Sequence, residues 1–200
     1  MKDKNINYFK KEWDSHNNYC LQYKRKTLDD LLTESNPIPS DIFEVKTEII
    51  YDLDLDFEIT TAYGKSTCWL AETVNNVDGI WYFLEDLIED KQEYFFYCEE
   101  EGPNTFFYAS KISNDDIRFA QITDMRKSSE YTDHTDGFRI VQDIIINRKI
   151  LIKAFYNSIK LAYENYKIDY EVGSDLYLWV EDSMKNTMKD SEIIKNYLML

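Results

Sequence analysis

Polar and hydrophobic residues alternate with a period of two through Asp52-Leu53-Asp54-Leu55-Asp56-Phe57-Glu58-Ile59. Successive side chains of a strand point to opposite faces. Leu53, Leu55, Phe57 and Ile59 therefore share one face, and Asp52, Asp54, Asp56 and Glu58 the other. The pattern predicts a half-buried strand inside a β region running from Phe43 to Thr61. Gly64 and Lys65 supply a turn, and Ser66 to Thr73 reads as a second strand paired with the first as a hairpin. The period then changes. Ile80, Trp81, Phe83, Leu84, Leu87 and Ile88 recur at helical spacing between Asp78 and Asp90, with Asp78 as N-cap. Short aromatic or β-branched runs follow at Tyr94 to Cys98, Thr105 to Ser110 and Ile117 to Ile122. Glu99 to Asn104 and Ser113 to Asp116 separate them with turn compositions, which predicts an antiparallel meander. Phe138 to Ile146 reads as a further strand. Arg148 to Lys167 reads as an amphipathic helix, with Leu151, Phe155, Ile159, Ala162 and Tyr166 three or four residues apart.

The flanking regions are less patterned. The first forty residues are mixed and polar, with a short helix expected from Thr27 to Glu34, where Leu28, Leu31 and Leu32 share a face. Asn36-Pro37-Ile38-Pro39-Ser40 stops that helix and is the best linker candidate, because a residue preceding proline is pushed out of the helical region. Residues 123–137 form a polar loop, and the last thirty residues hold helices expected at about Ser174 to Met184 and Ser191 to Leu198. The expected class is α+β: an antiparallel meander sheet packed against two or three helices that form a single layer on one face. One domain is expected over residues 1–200. Its parts are a helical and polar N-terminal segment (1–40), a sheet-plus-helix core (43–167) and a C-terminal helical extension (168–200).

Charge narrows the partners. Thirty-eight acidic against 23 basic side chains give a formal net charge of −15. That field repels phosphate polymers and anionic lipid, so neither direct nucleic-acid binding nor membrane binding is expected, and a basic protein is the favoured partner. The 16 Tyr, 11 Phe and 4 Trp suit sheet surfaces and interfaces, where a ring lies in apolar surroundings and a hydroxyl reaches water. Cys20, Cys68 and Cys98 are odd in number and lack any CxxC pair, which reads as reduced thiols. No apolar stretch follows the basic N-terminus and no long apolar run occurs, so a cytoplasmic protein is expected.

Each catalytic motif along the chain is incomplete. Gly64-Lys65-Ser66 matches the end of a phosphate-binding loop, but Ile59 stands where the first glycine is required. Asp52, Asp54 and Asp56 resemble the spaced carboxylates that hold divalent metals in transferases, and a metal-dependent enzyme built on them is one alternative. The Gly-Ser turn that nucleotidyl transferases place upstream is missing, and a solvated sheet face explains the same residues. Asp41, Glu44 and Lys46 lie too close in sequence to occupy neighbouring strands of a nuclease site. His16 and His134 are the only histidines, too few for a multi-histidine zinc site. Ser128, Ser129, Asp133 and Asp136 beside His134 form no triad by adjacency alone. No cofactor, metal site or catalytic residue is expected.

A surface is left. Asp52, Asp54, Asp56 and Glu58 line one strand face, Glu99, Glu100 and Glu101 load one turn, and Asp115 and Asp116 load the next. Stacked on one side of the sheet and bordered by exposed Tyr94, Tyr97 and Tyr108, they would make an anionic patch for a cationic partner. The run Ile80-Trp81-Tyr82-Phe83-Leu84, then Glu101-Gly102 opening a strand, then Ile117-Arg118-Phe119, resembles the small acidic immunity proteins of bacterial toxin systems over residues 78–167. The resemblance implies one-to-one binding that occludes a toxin's active site. The expected function is thus a non-catalytic, acidic protein-binding module that neutralises a cognate partner. A phage-type inhibitor of a host defence nuclease, which would use the same physics, is the other alternative.

Overall fold

The computed structural model describes residues 2–50, 54–70, 77–99, 104–124, 137–167, 171–175, 177–178, 182 and 191–199. Its period-two segment is a strand. In β3 (Asp54–Thr61), Leu55, Phe57 and Ile59 are wholly buried while Asp56 and Glu58 stay half-exposed. β3 lies between β2 (Phe43–Ile50) and β4 (Gly64–Leu70), antiparallel to both. Gly64 opens β4 at φ +120°, a conformation that L side chains rarely adopt, which is why the turn needs glycine there.

A second sheet has five strands in the order β1-β8-β7-β6-β5. Its members are β1 (Ile38–Pro39), β5 (Glu93–Glu99), β6 (Asn104–Lys111), β7 (Asp116–Asp124) and β8 (Phe138–Asn147). β5 to β8 lie side by side, each antiparallel to the next, and a bulge interrupts the β7–β8 register at Gln121/Ile122. β1 pairs in parallel with Ile144 and Ile145 of β8, and Ser40 N–H donates to Ile145 O at 2.9 Å. Residues 36–40, expected as a linker, are thus tied to the sheet edge, where a proline's missing N–H costs nothing.

The expected single helical layer is corrected: helices cover both faces of the five-stranded sheet. On one face, Trp13 of α1 (Lys2–Gln22) meets Phe95, Phe106 and Tyr108 at ring-centroid distances of 5.1, 5.5 and 5.7 Å. On the other, Phe83 of α3 (Val77–Ile88) meets Phe96, and Phe155 of α4 (Arg148–Asn165) meets Phe107 and Phe119. Neighbouring positions of β5 and β6 are buried in opposite directions. This is why both strands read as unbroken apolar runs.

α1 itself was not foreseen. Its buried stripe, Phe9, Trp13, Asn17 and Cys20, steps by four, four and three. The Asp29 carboxylate joins it to α2 (Leu28–Glu34) by accepting from Trp13 Nε1 at 2.9 Å and from Asn17 Nδ2 at 2.8 Å. α2 begins in a capping box, with Thr27 Oγ1 accepting from Asp30 N–H and the Asp30 carboxylate accepting from Thr27 N–H. Its other end rests on a buried ion pair: Arg118 donates to both Asp143 carboxylate oxygens at 2.9 Å, to Leu32 O and to Ser35 Oγ.

The two sheets meet through amides. Buried Gln121 donates to Thr67 O and accepts from Ser66 Oγ, while buried Gln142 donates to Gly64 O and accepts from Thr61 Oγ1. A satisfied polar set of this type fixes how one sheet sits on the other, since any other register leaves amides unpaired. α5 (Glu192–Leu198), N-capped by Ser191, buries Ile194 and Leu198 in the same apolar cluster as both sheets.

Gly79 of α3 faces both α1 and β5: a Cβ there would lie 2.8 Å from both Phe9 Cζ and Phe96 Cε2. Gly79→Ala is expected to destabilise the fold by up to about 2 kcal/mol. The overpacking penalty of roughly 1–3 kcal/mol exceeds the roughly 1 kcal/mol gained in helix propensity. Urea titration of the two proteins measures the difference.

Candidate functional site

The carboxylates expected to form one patch are separated by the topology. Asp56 and Glu58 lie on the outward face of the three-stranded sheet, whereas Glu99 ends β5 and Asp115 and Asp116 turn β6 into β7. Because β5, β6 and β7 are antiparallel, Glu99 and the Asp115–Asp116 pair are at opposite ends of β6, roughly 25 Å apart for an eight-residue strand. The backbone of Glu99 and the Asp115–Asp116 turn are therefore not neighbours. Asp52, Glu100, Glu101 and the side chain of Glu99 lie outside the described residues, as does the Ser128 to Asp136 loop with His134. Asp54 is buried at the start of β3. Asp115 and Asp116 belong to a turn in which Ser113 Oγ accepts from both of their N–H groups.

The tyrosines expected to border the patch are corrected as well. Tyr94, Tyr97 and Tyr108 are 3%, 5% and 8% exposed, so they build the core instead of a binding surface. Their hydroxyls donate to Lys91 O, Asn104 Oδ1 and Glu93 Oε1. Burial pushes the Tyr108 hydroxyl above its ordinary pKa.

The outer face of the three-stranded sheet keeps a real charge arrangement. Asp56 stands opposite Glu48 on β2 and Trp69 on β4, and Glu58 stands opposite Lys46 and Thr67. Lys46 pairs with Glu48, and Lys65 with Glu58 at 2.8 Å. Partial burial, then Glu48 and Glu58, raise the Asp56 carboxyl above its ordinary 3.8. A raised carboxylate pKa means that folding disfavours the charged form. This group's contribution is most favourable below its unfolded pKa and is lost as pH rises through the higher folded value. Asp56→Asn is accordingly expected to raise the melting temperature at pH 7 and to leave it unchanged near pH 3, as thermal denaturation at the two pH values will show.

Beside this face runs an open groove of about 850 Å³ between β2 and α4. Every residue from Glu44 to Ile49 borders it, and Ala154, Ser158, Leu161, Ala162 and Asn165 border it from α4. A groove lying over one sheet face would touch alternate residues of a strand. Contact with six in succession means that it follows the strand's backbone edge. The helix residues recur at steps of three and four from Ala154 through Ser158 to Leu161, Ala162 and Asn165, and so form one stripe. Among the described residues β2 ends its sheet and has β3 as its one strand neighbour, so its far edge turns hydrogen-bonding groups toward the groove. Ser158 Oγ donates to Thr47 Oγ1 at 2.7 Å and holds the two walls together. Val45 and Ile49 are half-buried, and Leu161 is 57% exposed on the rim. Nothing in the hydropathy pattern marked this site, because a strand edge is a property of pairing and not of side-chain type.

A smaller cavity of about 350 Å³ lies against α1 and brings His16 and Cys20 near Arg25, Asp124 and Phe138. His16 Nδ1 bonds Glu12 O at 2.8 Å and Nε2 meets Asn104 Nδ2 at 3.2 Å. Both ring nitrogens are thus engaged by neighbours. Burial raises the Cys20 thiol pKa, which disfavours the thiolate a nucleophile requires. The cavity therefore holds a positioned histidine and a protonated thiol. Cys68 and Cys98 are buried within strands.

Among the described residues no group of three or more histidine, cysteine or acidic side chains is arranged to hold a metal, and no helix is long and apolar enough to cross a membrane. Compared with known proteins, the chain matches no family model, and no curated protein or solved structure matches it.

Proposed function

We propose that the chain is a non-catalytic protein-binding module that holds its partner in the groove between β2 and α4. One observation carries the reading: a strand edge with no partner strand among the described residues, walled by a stripe of helix and bordered by exposed Leu161, follows six consecutive residues of β2. Open strand edges invite pairing with another chain. The net charge of −15 favours a cationic partner and speeds the encounter at low salt. Within this reading the finer role is that of an immunity protein, which neutralises a cognate toxin by covering its basic working surface. That role rests on the charge and on the resemblance of residues 78–167.

The test is affinity capture from the native host with the full chain and with Leu161→Arg, followed by mass spectrometry. The substitution adds bulk and positive charge to an exposed rim position and should leave folding intact, which circular dichroism checks. A specific partner recovered by the first protein, lost by the second and released by salt is the expected result. Recovery of the same partner by both proteins, or of none by either, sinks the proposal.

A further inference from the structure

Resting on that reading, we propose that the groove's occupant is an extended segment of the partner, added to β2 as a further strand. It would carry apolar residues at alternate positions, with basic side chains opposite Glu44 and Glu48. Two independent features point this way. The first is shape. Glu44 to Ile49 span roughly 20 Å at 3.3 Å per residue, and each of the six borders the groove. An occupant in helical form would meet side chains but leave the row of backbone donors and acceptors unpaired. An extended one satisfies them, which is how strand addition gains affinity.

The second is charge. On the outward face of β2 the order is Glu44, Lys46, Glu48, with Asp56 and Glu58 behind on β3 and Lys65 beyond on β4. Four carboxylates meet two ammonium groups, and Lys46 is already engaged by Glu48. A new strand laid along β2 places its own outward side chains beside Glu44, Lys46 and Glu48. The complementary order is basic, acidic, basic, with an excess of positive charge tolerated. Its inward side chains fall between Val45, Ile49 and the apolar members of the α4 stripe, Ala154, Leu161 and Ala162, on either side of the Ser158–Thr47 hydrogen bond. The pattern sought in the partner is therefore basic, apolar, acidic, apolar, basic.

The probe is a capped seven-residue peptide with valine at positions one, three, five and seven, and lysine, glutamate and lysine between them. It is titrated into the full chain while backbone amide exchange is followed by NMR. Saturable binding that slows exchange at amides within residues 44–49 is expected. A peptide with lysine and glutamate interchanged should bind about tenfold more weakly, and one N-methylated at alternate residues should not bind. No protection at residues 44–49, or equal affinity for the interchanged peptide, overturns the inference. If Leu161-dependent capture of a natural partner nevertheless succeeds, the groove remains a binding site and strand addition alone is lost. If residues 44–49 are already protected without peptide and sedimentation shows a dimer, the edge is closed by a second copy, and the inference fails in that direction.

Discussion

Replacing Phe155 by alanine is expected to cost about 3–5 kcal/mol of stability, a large share of the 5–15 kcal/mol by which folded domains of ordinary size exceed their unfolded states. Phe155 is wholly buried at the meeting point of both sheets. Its ring lies 5.7 Å from those of Phe43 and Phe57 on the three-stranded sheet, and 5.8 and 6.4 Å from those of Phe107 and Phe119 on the other. Truncation removes apolar contact on four sides at once. The neighbours sit on hydrogen-bonded strands, so they can move little to refill the gap. Urea denaturation gives the loss directly. A value below about 1 kcal/mol would mean that the sheets close over the cavity and that this junction is softer than its ring contacts indicate.

The second large effect is expected at Asp143. Its carboxylate is fully buried and receives two hydrogen bonds from Arg118, whose side chain is 16% exposed. Asp143→Ala would strand a guanidinium in a site built to neutralise it, and would loosen its grip on Leu32 O and Ser35 at the end of α2. Breaking one partner of a buried pair typically costs about 3–5 kcal/mol, whereas replacing both by apolar residues of similar volume is far less damaging. Asp143→Ala should therefore destabilise more than the double change Arg118→Met with Asp143→Leu. Denaturation midpoints of the three proteins decide it. If the double variant is the less stable, the pair contributes net stability beyond mutual neutralisation.

Much of the secondary structure was legible because local periodicity controls it. The alternation in β3, the helical spacing of α3 and α4, and the turn residues between β5, β6 and β7 all lie where the hydropathy pattern placed them. What was not legible depends on non-local pairing. Ile38 and Pro39 look like linker residues because proline breaks helices, yet Ile144 and Ile145 give them a parallel neighbour. α1 was hidden because its stripe of Phe9, Trp13, Asn17 and Cys20 includes one polar member and is set among charged residues. Its partner surface, the second apolar side of β5 and β6, was signalled by the unbroken runs Tyr94-Phe95-Phe96-Tyr97 and Phe106-Phe107-Tyr108. A strand exposed on one side would alternate there. The same runs explain why the aromatic residues expected at a binding surface are in the core. The acidic residues misled for a related reason: a turn's composition shows that the chain reverses, but the end of the sheet on which it lies follows from counting strands.

The docking of α1 also orders events during synthesis. Trp13 is made before the rings that surround it, Phe95, Phe106 and Tyr108, which follow on the order of ninety residues later. At about 5–20 residues per second that is a delay of roughly 5–18 s. For that interval α1 can pair with α2 through Asp29, but its tryptophan lacks the aromatic rings that bury it, so the α1–α2 pair docks only once β6 has been made.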